Sequence, residues 1–573
     1  MIGRQPLFPR KRRREPPVPP NVETGRSRLL ITAAIFSVAF IAVTGRLISM
    51  TMFAEKNQSQ YSRSFKQVVL ETSRADIVDR YGNLLATNLK TASLYADPRL
   101  IVDARDAANK LARVLPNLDQ RSVYQKLTQK RSFTWIQRHL TPRQKFEVNK
   151  LGIPGLDFRE EKRRVYPDAT LASHVLGHTN TDNKGLAGIE RYMEARLRKH
   201  KEPLQLSIDI RLQHILRSEL FSAMREFRGI GAAGIIMNIR NGEVLGSVSL
   251  PDFDPNLPNN IDAASLFNRA TLGVYEMGST FKIFTTAMAL DTGKISIKKR
   301  YDATSPIRIS RFTIRDYHAQ RRWLSIPEIF MYSSNIGSVK MVMDVGIATQ
   351  RSFLKKIGIL HPSPVEISEI GKPLLPQRWK EINAMTISFG HGLSISPMQL
   401  VSGVAAMVNG GIYHSPTFLK KEPKTINKGR RVISEKTSKL IRRLLRLVVT
   451  DGTGKRAAAK GYVVGGKTGT TEKIIGQKYN NKKIHIYSFI GAFPMNEPQY
   501  LVFGMIEEPS VMKQKNVRAT GGRAAAPVVG KVIKRIAPLL GIIAVDEHET
   551  RLERQLTIDF TAQKKGKRHL ASF

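Results

Sequence analysis

Three short motifs in the second half of the chain carry side chains that could do chemistry: Ser279-Thr280-Phe281-Lys282, Ser333-Ser334-Asn335 and Lys467-Thr468-Gly469. They supply a hydroxyl nucleophile, an amine that is a base when neutral, a second hydroxyl that can relay a proton, and groups that can hold a carboxylate. This combination predicts acyl transfer through a serine ester.

A Ser-x-x-Lys string alone is weak evidence, and the chain holds three more, which begin at Ser296, Ser352 and Ser510. Ser279 is the favoured nucleophile because of its surroundings. Gly278 precedes it and permits a tight entry into a helix, and residues 281–290 continue with helical apolar spacing. We therefore predict Ser279 at a helix N-terminus, with the Lys282 amine nearly one turn later on the same face.

Composition narrows the class of protein. The chain has 573 residues, no cysteine and a formal net charge of +45. The absence of cysteine excludes disulfides, thiol catalysis and cysteine-based metal sites. The basic residues are spread along the chain without an aromatic-interleaved stripe, which favours a surface facing anionic lipid or an anionic polymer over nucleic-acid binding. His174 and His178 have the spacing of a helical metal pair but no evident third ligand, so we expect a structural role, no metal and no cofactor.

An N-terminal apolar segment predicts a membrane anchor. Residues 29–45 carry no charge, and the apolar pattern resumes after Arg46, so we place the anchor at 29–52. Eight basic residues precede it against two acidic ones, which predicts a cytoplasmic N-terminus and an exported remainder. A cleaved signal peptide and a buried core helix are the alternatives.

The remaining chain predicts two folded regions of mixed α and β structure. Strand patterns occur at 232–239 and 243–249 and return at 461–464, 486–493 and 500–506, with a closing helix at 527–536. The beginning and end of this region should share one antiparallel sheet around an inserted helical section. The predicted segments are a basic cytoplasmic tail at 1–28, the anchor at 29–52, an elongated pedestal at 55–225, a catalytic domain at 226–545 and a loose C-terminal tail at 546–573.

On these motifs the chain resembles the class B penicillin-binding proteins, which are peptidoglycan D,D-transpeptidases. The resemblance rests on Tyr275 to Lys282, Tyr332 to Gly337 and Gly466 to Thr470, and on Phe389-Gly390-His391-Gly392 before the third motif. Three further segments, around Arg74 to Gly82, Arg164 and Gly185 to Glu190, resemble the family's N-terminal pedestal. Ala75 departs from the family, which usually has glycine after that arginine.

The resemblance implies roles for the first two motifs. Ser279 would attack the carbonyl between two D-alanines of a stem peptide, and neutral Lys282 would accept its proton. Ser333 would relay a proton to the leaving amine, and Asn335 would hold Lys282 and the substrate amide. A neighbouring stem peptide would then take the acyl group.

The third motif would bind the substrate. Lys467 and Thr468 would meet the terminal carboxylate of the donor, and Gly469 would let the strand approach it closely. The backbone N–H groups of Ser279 and Thr470 would form the oxyanion hole.

The sequence Tyr-Glu-Met-Gly-Ser and the single anchor most resemble the division-specific FtsI type. This resemblance implies a protein of the bacterial inner membrane with a periplasmic catalytic domain. That resemblance implies β-lactams as covalent inhibitors and an FtsW-type glycan polymerase and other division proteins as partners. An elongation-type transpeptidase, a D,D-carboxypeptidase and a β-lactam sensor are the alternatives.

Overall fold

The structure is a computed structural model. It describes residues 20–52, 74–258, 261–309, 312–422, 429–475, 478–479, 484–509 and 520–558, with side chains in the first range limited to 30–47. The chain forms two units, residues 1–72 and residues 73–573. Most of the predicted basic tail (1–19) and the first residues of the predicted pedestal (55–73) lie outside the described residues.

The first unit contains helix α1, Pro20–Met52. Its window Leu30–Leu47 has a mean hydropathy of 2.0 over 18 residues, and all of these side chains are exposed. At about 1.5 Å per residue, such a window spans roughly 27 Å, close to the hydrocarbon thickness of a bilayer. In the part of the chain that the structure describes, this helix alone is long and apolar enough to cross a membrane. The helix also includes residues 20–28, which the sequence placed in the tail; Pro20 suits a first helical position.

The second unit begins with a mixed region that corresponds to the predicted pedestal. Its strands are β1 (Ile77–Val78), β2 (Leu84–Ala96), β3 (Thr134–Leu140), β4 (Leu156–Val165) and β5 (Leu204–Gln205). Its helices are α2 (Ala104–Val114), α3 (Gln120–Leu127), α4 (Pro142–Asn149), α5 (Ser173–Leu176), α6 (Gly188–Tyr192) and α7 (Glu194–Lys199). The long strand β2 pairs with β1, β3 and β4, and this sheet organises the region.

A buried ion cluster joins the three pedestal segments that the sequence singled out. Arg74 Nε lies 2.5 Å from Glu190 Oε2, and Arg164 Nε lies 2.6 Å from Glu190 Oε1. The Arg164 and Glu190 side chains are fully buried. Arg74 also donates to the Glu190 carbonyl, at 2.5 Å, and to Glu194 Oε2, at 2.7 Å. The Glu190 carboxylate is therefore shared by two guanidinium groups that come from distant parts of the chain.

We predict that Glu190→Gln lowers the free energy of unfolding by about 3 kcal/mol, because it leaves two buried guanidinium charges without their shared carboxylate. Thermal unfolding of the full chain in detergent measures the effect. Glu194→Gln is the matched control: Glu194 is partly exposed, so its loss should cost about 1 kcal/mol or less. Equal stability of the two variants would show that the cluster is not what holds the segments together.

The rest of the second unit is its larger part, and five of the strands in this part form one antiparallel sheet. Its strands are β6 (Gly231–Asn238), β7 (Val244–Leu250), β8 (Tyr275–Glu276), β9 (Arg300–Asp302), β10 (Ile307–Ile309), β11 (Phe312–Ile314), β12 (Trp323–Ser325), β13 (Ser394–Ile395), β14 (Ile412–Tyr413), β15 (Arg430–Arg431), β16 (Gly465–Glu472), β17 (Ile474–Ile475), β18 (Lys478–Tyr479), β19 (His485–Phe493) and β20 (Tyr500–Glu507). Its helices are α8 (Ile210–Glu226), α9 (Ala263–Leu266), α10 (Lys282–Asp291), α11 (Ile326–Tyr332), α12 (Asn335–Val345), α13 (Ile347–Lys356), α14 (Glu381–Ile387), α15 (Pro397–Val408), α16 (Glu435–Thr450), α17 (Gly521–Leu539) and α18 (Thr550–Leu556).

The order of the main sheet is β16-β19-β20-β6-β7. Strands from the beginning and end of the domain therefore share it, and helices α10 to α16 are inserted between them, which confirms the predicted α+β fold. Two element boundaries were wrong. The strand expected at 461–464 is β16, Gly465–Glu472, which is fixed by eight residue pairs with β19. The closing helix begins at Gly521, so Pro527 lies inside it.

Helix α8 spans the domain boundary that the sequence placed at 225. Its buried residues, among them Leu216 and Leu220, share one apolar core with β6, β7 and helix α17. Leu216 and Leu220 approach Gly234 of β6 so closely that a Cβ there would lie 2.6 Å from Leu220 Cδ1. Helix α8 thus packs against the main sheet along its whole length, on both sides of residue 225.

The C-terminal segment is also more ordered than predicted. Helix α18 lies within the expected loose tail, and its Leu552 and Leu556 are buried against the core. Glu547 pairs with Arg446 of α16 at 2.7 Å and accepts from the Gly461 N–H at 2.9 Å. These contacts hold the segment to the domain as far as residue 558, beyond which the tail lies outside the described residues.

Candidate active site

Ser279 lies in a 3₁₀ turn, Gly278–Phe281, that leads directly into α10. The turn requires glycine, since Gly278 has a φ of +54° and a Cβ there would lie 2.4 Å from the Thr470 carbonyl oxygen. On the other side, Gly278 N–H donates to the Gly390 carbonyl at 3.1 Å. Backbone atoms of strand β16 and of the segment at Gly390 therefore fix the position of Ser279, which is half-buried.

Lys282 is 1% exposed and its Nζ contacts both of the first two motifs. It lies 3.0 Å from Ser279 Oγ, 3.0 Å from Ser333 Oγ, 2.6 Å from the Ser333 carbonyl oxygen and 2.7 Å from Asn335 Oδ1. The carbonyl and amide oxygens can only accept hydrogen bonds. These two oxygens can accept hydrogen bonds from the two N–H groups of a neutral amine. The lone pair of that amine is then available to take a proton from a hydroxyl.

The surroundings of Lys282 favour that neutral form. Burial lowers the pKa of the Lys282 amine well below its ordinary value, and the charge of Lys467 lowers it further, while Asp316 acts in the opposite direction. Burial also lowers the pKa of Lys467, to about 7. Since each amine lies 3.0 Å from Ser333 Oγ, two adjacent ammonium groups would repel. The site therefore favours a neutral Lys282 beside a Lys467 that can carry the charge.

The second motif spans the junction of two helices. Ser333 ends α11 in a left-handed conformation, with φ +60° and ψ +45°, and its hydroxyl lies between the two lysines. Ser334 caps α12 by accepting from the Gly337 N–H at 3.0 Å. Asn335 opens α12 and directs its Oδ1 toward Lys282. The sharp junction thus brings one hydroxyl and one amide to the same amine.

Asp316 is a site residue that the sequence motifs did not indicate. Its carboxylate accepts from Ser334 Oγ at 2.7 Å, from the Asn335 N–H at 2.6 Å and from the Ile336 N–H at 3.0 Å. A carboxylate that accepts free N–H groups at a helix start stabilises that end of the helix. Asp316 therefore anchors the second motif from a separate loop.

The third motif lies on β16, an edge strand of the main sheet. Lys467 is fully buried and reaches Ser333 Oγ, whereas Thr470 is exposed. A Cβ at Gly469 would lie 2.2 Å from Ser488 Oγ and 3.1 Å from the Met277 carbonyl oxygen, so only glycine fits between β19 and the nucleophile turn. Thr468 is nearly buried, and its Oγ1 lies 2.8 Å from Thr453 Oγ1.

The Phe389 to Gly392 segment supports the nucleophile turn. Glu276 of β8 is buried, accepts from the Gly392 N–H at 2.6 Å and lies 3.1 Å from His391 Nδ1. A Cβ at Gly390 would lie 2.1 Å from the Gly278 carbonyl oxygen. This segment, which the sequence singled out by resemblance, thus packs against Gly278, the residue before Ser279, and holds it in place.

His174 and His178 both pack against one aromatic ring. Phe253 meets both imidazoles edge-on, at centroid distances of 5.2 and 5.8 Å. His174 Nε2 lies 2.7 Å from the Ser265 carbonyl oxygen, and burial lowers the pKa of His174 to about 4. A neutral histidine with this partner can pack in a buried position without a charge to compensate.

Comparison with known proteins agrees with this geometry. A model of the penicillin-binding protein transpeptidase domain matches residues 232–534, and a model of the penicillin-binding protein dimerisation domain matches residues 69–211. A Caulobacter vibrioides protein named "Probable peptidoglycan D,D-transpeptidase FtsI" is 37% identical over 90% of this chain and 89% of its own. "Stage V sporulation protein D" of Bacillus subtilis is 32% identical over 91% of this chain and 86% of its own.

A solved structure of similar fold is that of a peptidoglycan synthetase from Bifidobacterium adolescentis, with a TM-score of 0.66 and 18% identity over 84% of this chain and 97% of that one. Together with the motif geometry, these matches define the class of protein. The chain belongs to the penicillin-binding protein transpeptidase family, as its sequence predicted.

Proposed function

We propose that this protein is a peptidoglycan D,D-transpeptidase of the division-specific type, working through a serine acyl-enzyme. The observation that carries the proposal is the buried Lys282 amine, which lies within hydrogen-bond distance of Ser279, Ser333 and Asn335. A desolvated amine next to a fixed hydroxyl is the arrangement that activates a serine without histidine. The relative named FtsI supports the assignment to cell division.

In the acylation step, Ser279 Oγ attacks the carbonyl carbon between the two terminal D-alanines while its proton passes to neutral Lys282. An oxyanion forms, and the N–H groups of Ser279 and Thr470 would hold it; one such donor contributes about 3 kcal/mol. The C–N bond then breaks as a proton moves from Lys282 through Ser333 Oγ to the leaving nitrogen. The products are a Ser279 ester and free D-alanine.

In the transfer step, an amine of a second stem peptide attacks the ester carbonyl and gives up a proton along the same path. The C–O bond to Ser279 breaks, Oγ regains a proton, and the new amide is the cross-link. Asn335 would keep Lys282 in place through both steps, since its Oδ1 accepts from the amine at 2.7 Å. Every residue in this scheme comes from the three motifs.

The third motif would select the donor. Lys467 and Thr468 would bind the terminal carboxylate, a charge-assisted contact, and the substrate would lie along β16, an edge strand of the main sheet. A carboxylate near Lys467 raises the pKa of that amine and so favours its charged form. β-Lactams carry an equivalent carboxylate and would acylate Ser279 as inhibitors.

The remaining parts of the proposal concern location and partners. Helix α1 would cross the bacterial inner membrane once, with the N-terminus in the cytoplasm and residues from 55 onward in the periplasm. Its apolar window supports the crossing, and the excess of basic residues before it supports the orientation. We divide the exported chain into a pedestal before residue 210 and a catalytic domain after it. Stem peptides are the proposed substrates, and an FtsW-type glycan polymerase and other division proteins the proposed partners.

The experiment that tests this function supplies the purified full chain in detergent with donor and acceptor stem peptides and resolves the products by mass spectrometry. Transpeptidation predicts cross-linked dimers and free D-alanine, in amounts that rise with the acceptor concentration. A product hydrolysed by water alone would instead identify a D,D-carboxypeptidase. Absence of both products, with β-lactam binding retained, would favour a sensor.

A further inference from the structure

Thr453 lies on a short loop outside the three sequence motifs described above. The loop follows α16 and leads into a 3₁₀ turn, Lys455–Ala457. Two backbone bonds fold it against the end of α16: Gly452 N–H donates to the Leu447 carbonyl at 3.1 Å, and Gly454 N–H donates to the Val448 carbonyl at 3.0 Å. The position of Thr453 is therefore set by the helix.

The loop is also packed from two other sides. A Cβ at Gly522, in the first turn of α17, would lie 2.5 Å from the Thr453 carbonyl oxygen. A Cβ at Gly454 would lie 3.0 Å from the ring of Phe489, on the neighbouring strand β19. Because backbone and aromatic atoms close both sides, Thr453 has little room to move away from β16.

The Thr453 hydroxyl meets the hydroxyl of Thr468 at 2.8 Å. Within the described part of the chain, neither hydroxyl has another hydrogen-bond partner. Each hydroxyl holds a single proton, and a carboxylate can only accept. While the two hydroxyls stay bonded, Thr468 can therefore donate to a bound carboxylate only if Thr453 supplies the proton between them.

The first turn of α17 adds an electrostatic field that favours negative charge beside the two threonines. A Cβ at Gly521 would lie 2.5 Å from the Gly469 carbonyl oxygen, so the N-terminus of this 19-residue helix abuts the third motif. The free N–H groups and dipole at such an end favour an anion. The threonine pair thus lies where negative charge is stabilised.

We propose that Thr453 is a positioning residue for carboxylate recognition: it donates to Thr468 Oγ1 and thereby turns the Thr468 hydroxyl proton toward the terminal carboxylate of the donor. The inference rests on the proposed function, which assigns that carboxylate to the third motif. It adds that specificity for a free carboxylate is set in part from outside the motif, by the loop after α16.

The test compares acylation of the full chain by a penicillin and by the methyl ester of the same penicillin, using intact-protein mass spectrometry. We expect Thr453→Val to lower the second-order acylation rate constant for the free acid about tenfold, the scale of one hydrogen bond to a charged group, and to leave the rate constant for the ester unchanged. Thr453→Ser should restore the rate, since it keeps the hydroxyl. In a Thr468→Val background, the same change at Thr453 should have no further effect.

Thr450→Val is the matched control, because the Thr450 hydroxyl bonds only within α16 and its end and does not reach β16. Equal rate losses for acid and ester, or no loss with either, would overturn the inference. If the valine variant fails to fold, Thr453→Ala tests the same bond. A wild-type chain that neither ligand acylates would contradict the proposed function itself, which separates the two failures.

Discussion

Replacing Ser279 by alanine is expected to abolish covalent labelling by a fluorescent penicillin and to lower cross-linking at least about 10⁴-fold. The reason is that the ester can form only on this oxygen, and loss of a nucleophile leaves no alternative covalent route. Labelling of the purified full chain, read by in-gel fluorescence and intact mass, measures the effect. The variant removes one oxygen from a half-buried side chain, so the fold should survive.

The chain supplies its own control for this experiment. Ser352 begins another Ser-x-x-Lys string, on α13, where the side chain is exposed. Ser352→Ala should therefore label as strongly as the unchanged protein. Signal that persists in Ser279→Ala would assign the nucleophile to a different serine and remove the basis of the proposed mechanism.

Replacing Lys282 by methionine is expected to lower the second-order rate constant of penicillin acylation about 10³-fold, because it removes the base while filling the same space. Burial favours the apolar substitute, although the Ser333 carbonyl and Asn335 lose a donor. Stopped-flow or mass-spectrometric acylation rates measure the change. Lys355→Met, on the exposed end of α13, is the control and should have no effect.

The same amine gives the reaction a pH dependence with a defined sign. Protonated Lys282 cannot accept the Ser279 proton, so acylation of the unchanged protein should slow as the pH falls through the pKa of Lys282, which burial and Lys467 have lowered. In Lys282→Met this acid limb should disappear. A variant that acylates within tenfold of the unchanged protein, or that keeps the limb, would place the base elsewhere.

The three motifs predicted that the nucleophile turn, the start of α12 and strand β16 meet, because their residue types together serve acyl transfer. The two strands of the first hairpin and the nucleophile helix also followed from apolar spacing. Strand β16 was misplaced for a physical reason: Lys467, Gly469 and Thr470 offer no apolar alternation, and pairing with β19 alone makes this segment a strand. Tertiary pairing overrode weak local preference there.

Asp316 and Thr453 could not be predicted from the sequence at all. Asp316 caps the start of α12 from a separate loop. It lies about 20 residues before the N–H groups that donate hydrogen bonds to it, so no local capping pattern reveals it. Thr453 contributes a hydroxyl to a strand 15 residues away. Both act on motif residues through space, and only the folded arrangement identifies them.

The left-handed backbone of Ser333 carries a cost in stability. A non-glycine residue at φ +60° gives up folding free energy, on the order of 1 kcal/mol, that glycine would retain. Ser333→Gly would therefore relieve this backbone cost, but it would also remove the hydroxyl that lies between the two lysines. At this bend the side chain that the proposed reaction needs is one that the backbone conformation disfavours.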